Sequence, residues 1–172
     1  MTDSPAPSGE VAALVAVQSA LAGRPGVIAA ARAMSHFGEH SAGWLAVSAM
    51  GALLAPRRRR EWLLAGGGAL GAHTAAVLIK RAVRRRRPEH PAVEVNVGTP
   101  SALSFPSAHA TSTTAAAILM APLTGLPLPA LVVPPMALSR LVLGVHYPSD
   151  VVTGVAVGAL VARLVREFGS RR

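Results

Sequence analysis

Apolar residues in this chain gather into long stretches divided by charge runs and proline clusters, with no internal repeat. The cleanest stretch, residues 62–79 (WLLAGGGALGAHTAAVLI), is 18 residues long. A bilayer crossing needs roughly 20. Residues 41–55, 107–123, 126–145 and 151–165 form further stretches, and the shorter ones reach span length by recruiting flanking residues or tilting. Residues 11–34 are interrupted by GRPG at 23–26 and read as an interfacial helix, a bent span or a re-entrant pair. Small residues recur inside the stretches, as in GGGALGAHTAA and TGVAVGALVA, and allow membrane helices to approach closely. The pattern predicts an all-α, polytopic transmembrane helical bundle of five or six helices, the first either interfacial or spanning. One domain covers 1–172, with a polar tail at 1–10 and a basic tail at 167–172.

Composition sharpens this picture. With 51% hydrophobic and 15% charged residues and a mean hydropathy of +0.43, the chain is too apolar for an ordinary soluble domain of 172 residues. A formal charge of +9 calls for an anionic partner, and membrane-like hydropathy favours anionic lipid or a phosphorylated substrate over nucleic acid. Cysteine is absent, which removes disulfides and thiolate metal sites. Lys80 is the one lysine among 17 basic residues, and richness in Ala, Arg, Gly and Pro suits a GC-rich, actinobacterial genome. The start of the chain carries Asp3 and Glu10 in place of a basic region, so no cleavable signal peptide is expected.

Three patches of ionisable residues interrupt the apolar pattern. In KRAVRRRRP, Lys80 and Arg87 are seven positions apart, nearly two turns, and share a face if the helix continues past Ile79. In FPSAHA, Ser107 is placed to cap a helix whose first turn holds Ala108 and His109. SRLVLGVHYPSD brings Ser139, Arg140, His146 and Asp150 to the end of an apolar run, where such groups mark function by default. Helices that alternate in direction deliver all three patches to one membrane face.

Together these residues suit phosphoryl chemistry. Lys80, Arg87 and Arg140 supply charge and forked donors for a tetrahedral anion, and the free N–H groups at the start of helix 107–123 add another anion site. His146 can attack phosphorus with Asp150 orienting its ring, while His109 protonates the departing oxygen. The cationic cluster itself stabilises developing charge, so neither a metal nor a cofactor is implied.

The motifs K-x6-RP (Lys80 to Pro88), PSxH (Pro106 to His109) and SR-x5-H-x3-D (Ser139 to Asp150) resemble the three signatures of the type 2 phosphatidic acid phosphatase superfamily, which also includes vanadium haloperoxidases. That resemblance implies a helical bundle, a phosphohistidine on His146, acid catalysis by His109 and metal-independent hydrolysis. Lys80, Arg87, Ser107, Ala108, Ser139 and Arg140 would hold the phosphate. Ala108 stands where the family usually has glycine. The SHFGEHSAGW entry and the HPAVEVNVGTPS loop are similar to mycobacterial and corynebacterial members acting on decaprenylphosphoryl-5-phosphoribose, a precursor of cell-wall arabinan.

Other residues have plainer readings. Arg81 and Arg84 to Arg86 read as a juxtamembrane patch for anionic headgroups, and Arg57 to Arg60 as topology signals. His36, Glu39, His40 and His90 are candidate headgroup contacts; His36 and His40 lack the further ligand that a metal site needs. His73 reads as an interhelical hydrogen bonder, and Trp44 and Trp62 as interfacial anchors. The expected activity is removal of a terminal phosphomonoester from a polyprenyl-phosphate lipid at a multi-pass cell membrane, with the site on the external face. Alternatives are a polyprenyl diphosphate phosphatase, a phosphatidic acid or phosphatidylglycerophosphate phosphatase, and a non-catalytic scaffold for anionic lipids. Oligomeric state is not readable from the sequence.

Overall fold

The computed structural model describes residues 6–169, and among them the regular structure is helical. Seven α-helices follow in order: α1 Gly9–Leu21, α2 Val27–Gly38, α3 Ala42–Leu54, α4 Arg59–Val83, α5 Ala108–Thr124, α6 Leu128–Val142 and α7 Pro148–Gly169. Single 3-10 turns, Glu39–Ser41 and Pro56–Arg58, precede α3 and α4. The ambiguous segment 11–34 resolves into two separate helices, α1 and most of α2, so the described residues hold seven α-helices, not all of which need cross a membrane. Gly26, with φ of 79°, supplies the left-handed step at the start of α2 that ends the ambiguity.

Local chemistry sets the other boundaries. Ser107 caps α5 by accepting a hydrogen bond from the Ala110 N–H, and Gly125 closes it in the left-handed conformation. After α6 the chain turns at Gly144, where φ is 70° and an added Cβ would collide with the Glu94 carbonyl. Helix α4 stops at Arg84, a non-glycine residue with φ of 57°.

Helix α5 lies at the centre and packs against α4, α6 and α7. Its run from Ala110 to Ala117 is buried throughout, and these small side chains let neighbouring backbones come close. Gly154 and Gly158 of α7 rest directly on α5 around Ser107 and Thr111. Trp44 and Trp62 belong to this core, being only 7% and 8% exposed, and are not interfacial anchors. Trp44 donates its indole N–H to Thr113 Oγ1 at 3.0 Å, while Trp62 fills the space beside Gly51. A partner for the indole deep in the bundle outweighs the interfacial preference.

The helical segment Pro56–Val83, 28 residues long and containing an 18-residue window of mean hydropathy 1.5, is long and apolar enough to cross a membrane by itself. Large apolar side chains such as Met50, Leu53, Leu54, Leu78, Val152 and Leu160 point outward. A bundle with a small-residue interior and an aliphatic exterior is the arrangement expected for contact with lipid.

Candidate active site

A pocket of about 390 Å³ opens at the end of the bundle where α4 and α6 finish and α5 and α7 begin. Lys80, Arg87, Ala108, His109, Arg140 and His146 all line it, so the three motifs do meet. Lys80 and Arg87 arrive differently from the sequence expectation. Helix α4 ends before Arg87, which reaches the pocket from the loop that pairs Arg86 with Leu103.

Each cation is held by oxygen atoms. Lys80 Nζ donates to the Leu103 and Ser104 carbonyls at 3.0 and 3.3 Å. Arg87 donates to the Ser101 carbonyl at 2.8 Å and the Val145 carbonyl at 2.5 Å. Arg140, 2% exposed, is braced by Ser139 Oγ at 3.1 Å and by Ser35 Oγ of α2 at 3.0 Å. Ser107 and Ser139 sit behind the pocket wall. Ser107 caps α5, and Ser139 steadies Arg140 while donating to the Met136 carbonyl. Ala108 lines the cavity as the first residue of α5, where helical dihedrals make a Cβ ordinary.

His146 Nε2 lies 3.4 Å from Arg87 Nη1, and Nδ1 faces Asp150 Oδ2 at 3.5 Å, long for a hydrogen bond. The Asp150 contact leaves Nε2 as the nitrogen turned to the cationic cluster. Burial pushes the His146 imidazole well below its ordinary pKa; Asp150 opposes this, and Arg87 and Lys80 reinforce it. Arg87, also buried, is lowered only to about 10 and stays charged at neutral pH. His109 Nε2 is 2.9 Å from the Ser35 carbonyl, and a carbonyl can only accept. Nε2 therefore carries a proton, and Nδ1 is the nitrogen left for other work.

Sequence reasoning missed Arg85 and Glu10. Arg85 had the plain reading of a headgroup patch, yet its Nη1 donates to Asp150 Oδ1 at 3.0 Å and to Ser149 Oγ at 2.7 Å. Its guanidinium lies over the Tyr147 ring, 4.0 Å from the centroid. Glu10, assigned to the polar tail, accepts from Arg85 Nη2 at 2.6 Å and from the Ser149 N–H at 2.8 Å. Asp150 is fully buried and also accepts from the Tyr147 N–H at 2.8 Å. An acid and a base 75 residues apart give no local signal, and only the fold selects Arg85 from its arginine-rich neighbourhood.

Of the headgroup candidates, His36, Glu39 and His40 line the pocket, whereas His90 does not. The His90 ring instead accepts from the Ala92 N–H within its own loop. His73 also lines the pocket, contrary to its reading as an interhelical bonder, and its Nδ1 has no hydrogen-bond partner among the described residues. The described residues contain no group of three or more side chains suited to a metal ion.

Comparison with known proteins gives relatives of the whole chain and of the fold. The decaprenylphosphoryl-5-phosphoribose phosphatase of Mycobacterium tuberculosis is 68% identical over 167 residues, covering 97% of this chain and 94% of that protein. The protein of the same name in Mycolicibacterium smegmatis is 74% identical over 151 residues, 88% of this chain and 84% of that one. The fold resembles the crystal structure of a transmembrane PAP2-type phosphatidylglycerolphosphate phosphatase from Bacillus subtilis, with a TM-score of 0.72 at 21% identity. That superposition covers 93% of this chain and 86% of the other. Residues 61–172 match the PAP2 superfamily, and with the three motifs converging on one pocket the chain belongs to that superfamily.

Proposed function

We propose that this protein is an integral membrane lipid phosphatase that converts decaprenylphosphoryl-5-phosphoribose to decaprenylphosphoryl-ribose, supplying arabinan precursors to the cell wall. The observation that carries the reading is the meeting of His146, His109, Lys80, Arg87 and Arg140 around one pocket. The 68–74% identity to phosphatases named for that lipid supports the choice of substrate.

The terminal phosphate is held by Lys80, Arg87 and Arg140 and by the N–H groups at the start of α5. His146 Nε2 attacks phosphorus. The N–P bond forms as the bond from phosphorus to the sugar oxygen breaks, and His109, which enters the step as an imidazolium facing the phosphate dianion, delivers its Nδ1 proton to that oxygen and keeps Nε2–H on the Ser35 carbonyl. Asp150 stabilises the positive imidazole. In the second half, His109 accepts a proton from water, water oxygen attacks phosphorus, and the N–P bond breaks to release inorganic phosphate.

The apolar tail remains in lipid while the headgroup enters the pocket. In this reading α2 with α3, then α4, α5, α6 and α7, make five passes, and α1 lies along the interface. The site faces outward in this reading: the two ends carry similar numbers of basic residues, but Lys80, Arg87 and Arg140 are engaged by the phosphate, which leaves Arg57 to Arg60 with Arg163 and Arg166 to set the positive-inside preference. The chain acts as a single membrane-embedded domain. Phosphate release by the purified protein in detergent tests the assignment, comparing a prenylphosphoryl-phosphoribose, a prenyl diphosphate and phosphatidic acid, with His146→Ala as blank. Preference for the phosphoribose lipid is expected. Equal cleavage of all three would replace it with a general lipid phosphatase, and none above the blank would leave a lipid-binding scaffold.

A further inference from the structure

One wall of the pocket, next to the Lys80 end of α4, is built around the break between α2 and α3. His40 (φ 48°) and Ser41 (φ 63°) are consecutive left-handed residues without a glycine, a conformation that L-residues keep only where their surroundings impose it. The turn sets the His40 ring beside His73 of α4, with centroids 5.8 Å apart and planes tilted by 44°. Both rings and the Glu39 side chain line the cavity. Irregular backbone between helices of this kind is tolerated where it borders a cavity. His73 Nδ1 is shielded from solvent yet has no hydrogen-bond partner among the described residues. A shielded ring nitrogen without a partner, at the edge of a cavity, is free to bond a ligand.

The position of this wall relative to the chemistry is what gives it meaning. Gly38, immediately before the turn, packs against His109 so closely that an added Cβ would lie 2.7 Å from Cδ2 of that ring. In an in-line displacement the leaving group departs opposite the nucleophile, and the acid that protonates it marks that side. The wall beside His109 therefore faces whatever carries the scissile phosphate. Its groups are two imidazoles and a carboxylate. Arg81 also lines the pocket, but it follows Lys80 at the end of α4, two turns beyond His73, and belongs to the cationic half. Imidazoles and a carboxylate exchange hydrogen bonds well with hydroxyls, and the carboxylate would repel a second phosphate.

We propose that His40 and His73, with Glu39, form a hydroxyl-reading subsite for the sugar that bears the scissile phosphate. The assignment rests on the phosphatase reading above and deepens it. A pocket of this kind selects a phosphosugar lipid over a lipid diphosphate by pairing its buried nitrogen with a hydroxyl that the diphosphate lacks.

The test is steady-state kinetics of the detergent-solubilised protein on three substrates: a prenylphosphoryl-phosphoribose, its 2-deoxyribose analogue and a prenyl diphosphate. For His73→Leu the ratio of kcat/KM for the ribose lipid to that for the diphosphate should fall about tenfold, the loss expected for one or two neutral hydrogen bonds. His73→Asn, which restores a donor and an acceptor, should recover part of the ratio and keeps the test open if the leucine variant folds poorly. His40→Leu should act in the same direction. The deoxy analogue should be a poorer substrate of the wild type and should lose less than the ribose lipid on His73→Leu. Equal losses on all substrates would make His73 a packing residue, and a larger loss on the diphosphate would make the wall a phosphate contact; either overturns the subsite. Failure of the wild type to release phosphate from any lipid would instead sink the phosphatase reading itself.

Discussion

Replacing Arg85 with glutamine probes a contact that lies outside the three motifs. Asp150 Oδ1 accepts from Arg85 Nη1 at 3.0 Å, while Oδ2 accepts from the Tyr147 N–H and faces His146 Nδ1. Arg85 thus fixes the carboxylate from behind and competes with the imidazole for its charge. A hydrogen bond to a charged group contributes about 1.5–3 kcal/mol. Expressed in the placement of His146 at the transition state, at 1.36 kcal/mol per tenfold, that is about a ten- to hundredfold fall in kcat. KM should change by less than about threefold, the scale of an indirect effect, because Lys80, Arg87 and Arg140 still hold the phosphate.

The pH profile separates positioning from loosening. The groups facing His146 are Lys80 of α4, Arg87 of the following loop, His109 of α5, Arg140 of α6 and Asp150 of α7. Without Arg85, Asp150 supports the imidazolium more strongly and the His146 pKa rises. The neutral ring is the nucleophile, so the acid limb of kcat/KM should move to higher pH. Arg85→Lys, which keeps charge without the fork, should fall between wild type and Arg85→Gln. Detergent-micelle kinetics across pH reads both effects. An unchanged kcat, or a rise in KM alone, would refute the positioning role, as would a limb that stays in place.

Further outcomes follow from the same geometry. Glu10→Gln, at a half-exposed ion pair, should lower kcat by no more than about fivefold, as read in the same assay. In the wild type, burial keeps His146 neutral below pH 6.5, so the acid limb should lie beneath the ordinary imidazole range once the substrate's own ionisation is subtracted. His109→Ala should slow a sugar phosphate far more than an aryl phosphate, whose leaving group needs no proton; equal slowing would remove the acid role. EDTA should leave the rate unchanged, since the cationic cluster carries the charge. Inhibition reversed by one divalent metal would contradict that. Gly144→Ala forces a side chain into a left-handed turn against the Glu94 carbonyl and should cost about 1–3 kcal/mol, read as a lower Tm.

The three motifs were legible because ionisable residues inside apolar runs are conspicuous, and because alternating helix directions put Lys80, His109 and His146 on one face. The start of α5 was legible from Ser107 and its neighbours. Hidden features depended on tertiary partners. Trp44 is internal because Thr113 lies across from it, Arg85 is functional because the chain returns Asp150 to it, and Glu10 matters because α1 folds over the α7 start. The α4 terminus was misread because a left-handed Arg84 ends the helix before Arg87. The consecutive left-handed residues His40 and Ser41 were not legible, since neither is a glycine and only the packed structure imposes their conformation.

The central claim is that phosphate passes through His146. The direct measurement is rapid-quench trapping with a prenylphosphoryl-[32P]phosphoribose, followed by alkaline work-up and mass mapping, since phosphohistidine survives base and is lost in acid. A labelled, acid-labile adduct on His146 that forms and decays at the turnover rate, and is absent from His146→Ala, is the predicted result. Full turnover without a phosphoenzyme, or label on another residue, would contradict the account.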